Sequence, residues 1–232
     1  MLHQQLPVVL IPGFMLDETL WDEFIRVYPD ERCFIRASLA RGHNIAEMTR
    51  YIVSGLPHRF ILAGFSLGGY VARAIAEAYP ERTAGMVLIA TSMREDPPEQ
   101  RKLLDAASRI ALSGDFNGIS PGAIKRSLHP LRQGDTLLIQ RIREMGKRMG
   151  SGVFRAQALL DRNNITTRPF TRPVKVFAAD EDRLRSYEEV TELAHCFGTD
   201  VEIIEESGHL VPLEQPSQLA RSVSDWLDSV GL

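Results

Sequence analysis

The 232-residue chain has the composition of an ordinary water-soluble globular protein, with 44% apolar and 25% charged residues. Its formal net charge of −3 and its pI near 6.1 argue against general nucleic-acid binding. No apolar run is long enough for a membrane-spanning helix, and the N-terminus enters a predicted strand without room for a secretory signal. We therefore expect one cytoplasmic α/β domain, with room for an inserted subdomain, and no nucleic-acid or membrane partner.

The two cysteines, Cys33 and Cys196, are far apart and belong to no C-x-x-C or ligand-like cluster. They are therefore predicted to be buried free thiols rather than a disulfide or a metal site. We expect no metal, no cofactor, and a monomer or small homo-oligomer.

Strand and helix patterns alternate along the first ninety residues. The predicted strands are Leu6–Ile11, Arg32–Arg36, Arg59–Phe65 and Met86–Ala90. The predicted helices are Glu18–Tyr28, Ile45–Leu56 and Leu67–Ala78. Asp17 is a predicted N-cap of the first helix, and Trp21 is predicted to pack in the core. This alternation is typical of a parallel sheet covered by helices on both faces.

Between residues 93 and 172 the strand pattern disappears. Helical segments are predicted there at Glu99–Leu112, Pro121–Leu128, Asp135–Met149 and Val153–Leu160. The stretch is too long for a βα loop and too structured for a linker. We interpret residues 93–172 as a helical lid inserted into an α/β core formed by residues 1–92 and 173–232.

The α/β pattern then returns for the rest of the chain. The predicted strands are Val174–Ala179 and Val201–Ile204, and the predicted helices are Ser186–Phe197 and Ser217–Val230. The sheet is expected to contain about six mostly parallel strands.

The segment Gly64-Phe65-Ser66-Leu67-Gly68 lies at a predicted strand-to-helix junction. Its G-x-S-x-G pattern is that of a nucleophile elbow, a sharp turn that exposes a serine hydroxyl over the end of a sheet. The glycines are needed because Cβ atoms beside the serine would collide with the neighbouring elements. Ser66 is the candidate nucleophile, and an ordinary serine N-cap is the alternative.

A serine hydroxyl needs a base, and histidine is the usual one because its imidazole titrates near neutrality. Among six histidines, His209 stands in a Gly-His loop directly after the last predicted strand. Open α/β sheets carry out their chemistry at the carboxyl ends of their strands, so His209 is the candidate base. The alternative is a capping or surface-loop histidine.

The base needs a carboxylate to orient its second ring nitrogen. Asp180, Glu181 and Asp182 follow the preceding predicted strand and offer three candidates. Asp182 is favoured because it lies far enough past the strand to bend toward His209. Asp180 is the second choice, and a solvated acidic turn is the alternative. Ser66, Asp182 and His209 occur in the order typical of α/β-hydrolases.

Five segments carry a resemblance over nearly the full length of the chain. In order they are IPGF, GFSLGG, AYPERTAGMVLIATS, PVKVFAADEDR and ESGHLVPLEQP. With them the chain resembles a compact, capped esterase of the α/β-hydrolase superfamily, similar to pimeloyl-ester carboxylesterases. The acid loop of that family usually reads G-x-x-D, which aligns Asp182 with the acid and Ala179 with the glycine. The chain departs from a full-size member by lacking its two N-terminal strands.

The resemblance also implies an oxyanion hole formed by the backbone N–H groups of Leu67 and Phe14. Pro12-Gly13 stands where the family usually has His-Gly, a change that a backbone donor tolerates. The side chains expected to contact substrate are those of Phe14, Met15, Phe65 and Leu210.

These features predict a serine hydrolase that cleaves a carboxylic ester, or a thioester, of a small molecule. A lactonase or a C–C bond hydrolase would use the same three residues. A hydrolase-fold receptor with little turnover is a further alternative. A dehalogenase is disfavoured because its nucleophile is a carboxylate.

Basic residues are concentrated in the predicted lid. Between residues 125 and 172 only Asp135, Glu144 and Asp161 oppose eleven basic side chains. These are Lys125, Arg126, Arg132, Arg141, Arg143, Lys147, Arg148, Arg155, Arg162, Arg168 and Arg172. They are either solvated helix faces or a docking surface for an anionic substrate or carrier, such as an acyl carrier protein, coenzyme A or a free carboxylate.

Overall fold

A computed structural model of the protein describes residues 5–163, 165–166 and 168–232. Within these residues six strands form one sheet. They are β1 (Val8–Ile11), β2 (Phe34–Arg36), β3 (Phe60–Phe65), β4 (Thr83–Ile89), β5 (Val174–Ala179) and β6 (Val201–Ile204). The strand order is β2-β1-β3-β4-β5-β6, and every neighbouring pair is parallel. The predicted fold class is confirmed.

Nine α-helices accompany the sheet in the described part of the chain. They are α1 (Asp22–Arg26), α2 (Ile45–Ser54), α3 (Leu67–Ala78), α4 (Pro98–Ser113), α5 (Pro121–Ser127), α6 (Thr136–Ala158), α7 (Tyr187–Cys196), α8 (Val211–Glu214) and α9 (Pro216–Ser229). Short 3₁₀ turns occupy Glu18–Trp21 and Pro130–Arg132.

The central strands β3 and β4 are apolar apart from Thr83, because helices cover both faces of the sheet. Every residue of β3 and β4 is buried. Side chains alternate along β3, so that Ile61, Ala63 and Phe65 join the core on one face. Phe60 and Leu62 join the core on the other face.

Most predicted elements are found within a few residues of their predicted bounds, and α3 has the predicted bounds. The first helix differs, because it begins with a 3₁₀ turn capped by Asp17 and ends at Arg26. A helix through Tyr28 is disfavoured because Pro29 follows directly, and a residue before proline avoids the helical region. Trp21 is fully buried, which confirms its predicted packing in the core.

Between β4 and β5 the described residues of the insertion form α4, α5 and α6 and contain no strand. The last two predicted helices of this stretch form the two halves of α6, which meet at a kink with non-helical backbone angles at Gly150. Gly150 has a φ of 81°, which a residue without a Cβ adopts without strain. Helix α4 packs against α6.

Several basic residues of the insertion form ion pairs or hydrogen bonds with other residues of the same chain. Ion pairs at 2.6–2.8 Å join Arg132 to Asp135, Arg148 to Asp17 and Arg162 to Asp96. The guanidinium groups of Arg141 and Arg143 donate hydrogen bonds to backbone carbonyls. The positive charge left for a partner is therefore smaller than the sequence count suggests.

The cysteine prediction is wrong in one respect, because Cys33 and Cys196 are free but exposed. Cys33 directly precedes the edge strand β2, and Cys196 is the last residue of α7, so neither lies in a core position. In the described part of the chain, no helix combines the length and apolarity needed to cross a membrane.

Candidate active site

The topology brings several loops to one edge of the sheet. β1 pairs with β2 on one side and with β3 on the other, so the chain changes direction between β1 and β3. Parallel α/β sheets bind ligands at such a switch point, outside the carboxyl ends of the strands. The loops that carry the predicted site residues follow β1, β3, β5 and β6 at this edge.

Ser66 occupies the turn between β3 and α3 in a strained backbone conformation, with φ of 50° and ψ of −115°. The turn is so tight that a Cβ on Gly64 would collide with the carbonyl of Gly68. The Ser66 side chain makes no capping hydrogen bond to α3, as an ordinary serine N-cap would. Its hydroxyl is instead directed at the loop after β6.

The His209 ring lies between a hydroxyl and a carboxylate. Its Nε2 atom is 2.9 Å from Ser66 Oγ, and its Nδ1 atom is 2.8 Å from Asp182 Oδ2. The ring also packs against Phe65, with 5.2 Å between the ring centroids. The structure thus brings together all three predicted catalytic side chains, each of them buried.

The Asp182 carboxylate is fixed in orientation by its own loop. Its Oδ1 atom accepts hydrogen bonds from the backbone amides of Leu184 and Arg185, at 2.8 and 3.0 Å. Burial by itself would raise the pKa of Asp182, but the His209 ring and these amides bring that pKa below its usual value. The carboxylate is therefore ionised near neutral pH and holds a proton on His209 Nδ1.

Asp180, the second candidate acid, contacts residues 205–210 after β6, here called the histidine loop, and does not contact the imidazole of His209. Its carboxylate accepts hydrogen bonds from the backbone amides of Glu206 and Ser207, at 2.9 and 3.0 Å. It fixes the start of the loop that carries His209.

Two backbone amides are available beside Ser66. Leu67 is the first residue of α3, so its amide has no partner within the helix. No described residue accepts a hydrogen bond from the amide of Phe14, which follows β1. Both residues line the cavity in front of Ser66.

Gln157 of α6 holds the loop after β1, a contact that the sequence does not reveal. Its Oε1 accepts the backbone amide of Met15 at 2.8 Å, and its Nε2 donates to the carbonyl of Leu39 at 3.0 Å. Gln157 is fully buried. It fixes the residue next to Phe14, although it lies more than a hundred positions away in the sequence.

Glu214 is a second residue that the sequence analysis missed, and it connects the histidine loop to the insertion. Its carboxylate accepts the amides of Gly208, at 3.0 Å, and of His129, at 2.7 Å. Burial raises the pKa of Glu214 above its usual value. The His209 amide adds a 2.8 Å hydrogen bond to the carbonyl of Ser127 in α5. The sequence shows a glutamate directly after the apolar run 210–213, but it does not reveal the burial or the partners of that glutamate.

A cavity of about 410 Å³ opens in front of Ser66 and His209. Of the residues expected to contact substrate, Phe14, Phe65 and Leu210 line this cavity. Met15 does not line it. Its side chain is fully buried and packs with Met149 and Phe154 of α6, because the backbone turns at Met15 with a φ of 55°.

Sequence comparison relates the chain to known hydrolases. The model of the alpha/beta hydrolase family matches residues 8–222. A pimeloyl-[acyl-carrier protein] methyl ester esterase of Sodalis glossinidius is 28% identical over 145 residues, which are 58% of this chain and 49% of that protein. The match thus spans about half the length of this relative.

Structural comparison gives matches over nearly the whole chain. A thermophilic esterase from Thermogutta terrifontis, solved with malate bound, has a TM-score of 0.84 at 26% identity and covers 98% of this chain and 91% of its own. The enol-lactonase from Burkholderia xenovorans LB400 has a TM-score of 0.78 at 17% identity, and the match covers 98% of this chain and 94% of the lactonase. At this low identity the match shows only that the fold is shared. The chain belongs to the alpha/beta hydrolase family.

Proposed function

We propose that the protein is a serine hydrolase that cleaves a carboxylic ester, or a thioester, of a small molecule through an acyl-enzyme. The observation that carries the proposal is the position of His209, within hydrogen-bond distance of both Ser66 Oγ and Asp182. The esterases among the relatives support the same reaction class.

In the first half of the reaction, Ser66 Oγ attacks the ester carbonyl while His209 Nε2 takes the hydroxyl proton. Asp182 keeps the other proton on Nδ1 and stabilises the imidazolium that forms. The amides of Leu67 and Phe14 donate hydrogen bonds to the carbonyl oxygen as it becomes an anion. His209 then protonates the leaving alcohol or thiol.

In the second half, a water molecule attacks the acyl group on Ser66, and His209 accepts a proton from that water. The carbonyl oxygen again carries negative charge beside the same two amides. His209 returns the proton to Ser66, and the carboxylic acid leaves. The site residues are therefore restored.

We also propose that residues 93–172 act as a lid over this site. Ile119, Ala123 and Ile142 of this segment line the cavity together with Ser66. The hydrogen bond from the His209 amide to Ser127, and the one from the His129 amide to Glu214, connect the segment to the histidine loop. The lid thus forms part of the substrate cavity and excludes water from it.

The test is hydrolysis of p-nitrophenyl butyrate by Ser66→Ala and His209→Ala variants. Each variant is expected to lose about 10⁴-fold or more of kcat. The matched control is Ser54→Ala, at an exposed serine at the end of α2 that does not line the cavity. Circular dichroism checks that each variant is folded. Turnover by folded Ser66→Ala at the wild-type rate would overturn the proposal.

A panel of esters, thioesters, lactones and C–C substrates then defines the bond that is cleaved. A receptor with this fold would show no turnover of any of them, together with a ligand-dependent rise in melting temperature.

A further inference from the structure

The wall of the substrate cavity carries positive charge and no acidic side chain among the described residues. Four arginines line the cavity: Arg126, Arg162, Arg183 and Arg185. The remainder of the lining is mostly apolar, with Leu16, Ile124 and others. Charges in such a partly enclosed cavity are weakly screened and act strongly on a bound ion.

Arg162 has its own counter-ion within the fold. Its guanidinium lies 2.8 Å from Asp96, and both side chains are more than nine-tenths buried. The guanidinium also lies over the ring of Tyr70, 5.5 Å from its centroid. Arg162 is thus a fixed part of the cavity wall.

Arg185 has no comparable partner. It is 11% exposed, and its Nε atom is buried without a hydrogen-bond partner in the described residues. The nearest carboxylates, on Asp96 and Glu189, lie 3.8 Å away. Asp96 is already bound by Arg162, and Glu189 accepts the Ser186 amide at 2.8 Å in the cap of α7. Arg185 therefore makes only two long ion pairs, and its Nε–H donor is not used by the described residues.

Arg126 and Arg183 are exposed at the cavity, on α5 and in the loop after Asp182. Within the described part of the chain, neither guanidinium forms an ion pair or hydrogen bond comparable to those of Arg132 or Arg148. Three cavity arginines thus keep donors for a ligand.

We propose that the substrate is an ester that carries a carboxylate, such as a monoester of a short dicarboxylic acid. The ester carbonyl lies at Ser66, and the free carboxylate is bound by Arg185 together with Arg126 and Arg183. Guanidinium groups suit this role because they bind carboxylates with two parallel hydrogen bonds. This substrate class rests on the proposed function, and its hydrolysis consumes one water and releases the alcohol and the dicarboxylate.

The test compares monomethyl glutarate with methyl pentanoate, in which a methyl group replaces the carboxylate. The wild type is expected to have kcat/KM about 10- to 100-fold higher for the anionic ester, as for a hydrogen bond to a charged group. In Arg185→Gln and Arg126→Gln this preference falls by about 10-fold, mainly through KM. Raised salt concentration reduces it as well.

Lys125→Gln is the matched control. It removes the same charge from α5 one residue before Arg126, at an exposed position that does not line the cavity. Its preference is expected to equal that of the wild type. If Arg185→Gln does not fold, Arg126→Gln and Arg183→Gln, both at exposed positions, carry the test.

The outcomes separate this inference from the proposed function. If both esters are cleaved through Ser66 at equal kcat/KM, the inference is wrong and the hydrolase proposal stands. If neither methyl ester is cleaved, hydrolysis of p-nitrophenyl butyrate decides whether the hydrolase proposal fails, and calorimetry with glutarate tests the arginine site directly. Binding that is weakened in Arg126→Gln but not in Lys125→Gln supports the site, and the absence of binding overturns it.

Discussion

Replacing Gln157 by leucine tests whether the insertion positions the loop after β1, here called the oxyanion loop because it carries the proposed donor Phe14. The fully buried side chain satisfies two backbone groups, the amide of Met15 and the carbonyl of Leu39. Leucine has a similar volume but leaves both groups buried and unpaired. Each unpaired group costs about 1–3 kcal/mol, so the free energy of unfolding is expected to fall by about 2–6 kcal/mol.

The same change frees the neighbouring amide of Phe14 from its fixed position. Loss of one oxyanion donor costs about 10²–10³-fold in kcat in a serine protease of a different fold, and partial misplacement is expected to cost at least about 10-fold. The assays are urea unfolding and hydrolysis of p-nitrophenyl butyrate at a temperature where the variant is fully folded. A matched control is Gln140→Leu, the same replacement at an exposed position of α6.

Gln140→Leu is expected to leave both the free energy of unfolding and kcat close to their wild-type values. If Gln157→Leu kept both the stability and the kcat of the wild type, the connection between α6 and the oxyanion loop would be unimportant. Lower stability with unchanged kcat would show that Gln157 supports the fold without positioning Phe14.

Three further predictions follow from the geometry. In Asp182→Asn the amide cannot hold the required tautomer of His209, so kcat is expected to fall by about 10⁴-fold while circular dichroism stays unchanged. The lowered pKa of Asp182 means that its ionised form stabilises the folded state at neutral pH and that this stabilisation is lost as the pH falls through the folded-state pKa. The difference in unfolding free energy between wild type and Asp182→Asn should therefore change below about pH 4 and stay constant above about pH 5 in urea titrations. In Gly208→Ala the added Cβ would collide with the backbone of residues 127–129, so we expect a lower melting temperature together with lower kcat. A melting temperature equal to that of the wild type would show that the histidine loop and the insertion can separate freely.

The local parts of the site could be predicted from the sequence. The elbow at Ser66 depends on a tight turn whose glycines, Gly64 and Gly68, lie within two positions of the serine. His209 and Asp182 could be placed because parallel strands end at one edge of the sheet, so the residues that follow them meet there. The fold class follows for a similar reason, since alternating strand and helix patterns determine a parallel sheet.

The contacts between the insertion and the core could not be predicted in this way. The hydrogen bonds of Gln157 and Glu214 depend on how α5 and α6 pack against the loops at the edge of the sheet, and no local pattern specifies that packing. A count of basic side chains in the insertion also overestimates the charge available to a partner, because ion pairs such as Arg148 with Asp17 join residues far apart in the chain. The exposure of the two cysteines likewise depends on which surfaces the neighbouring elements leave open.

The proposed role of Ser66 as the activated nucleophile is tested most directly by labelling with a fluorophosphonate and mapping the modified residue by mass spectrometry. The wild type is expected to gain one adduct, on Ser66, and His209→Ala is expected to react far more slowly. An adduct on another residue, or labelling of His209→Ala at the wild-type rate, would contradict the activation of Ser66 by His209.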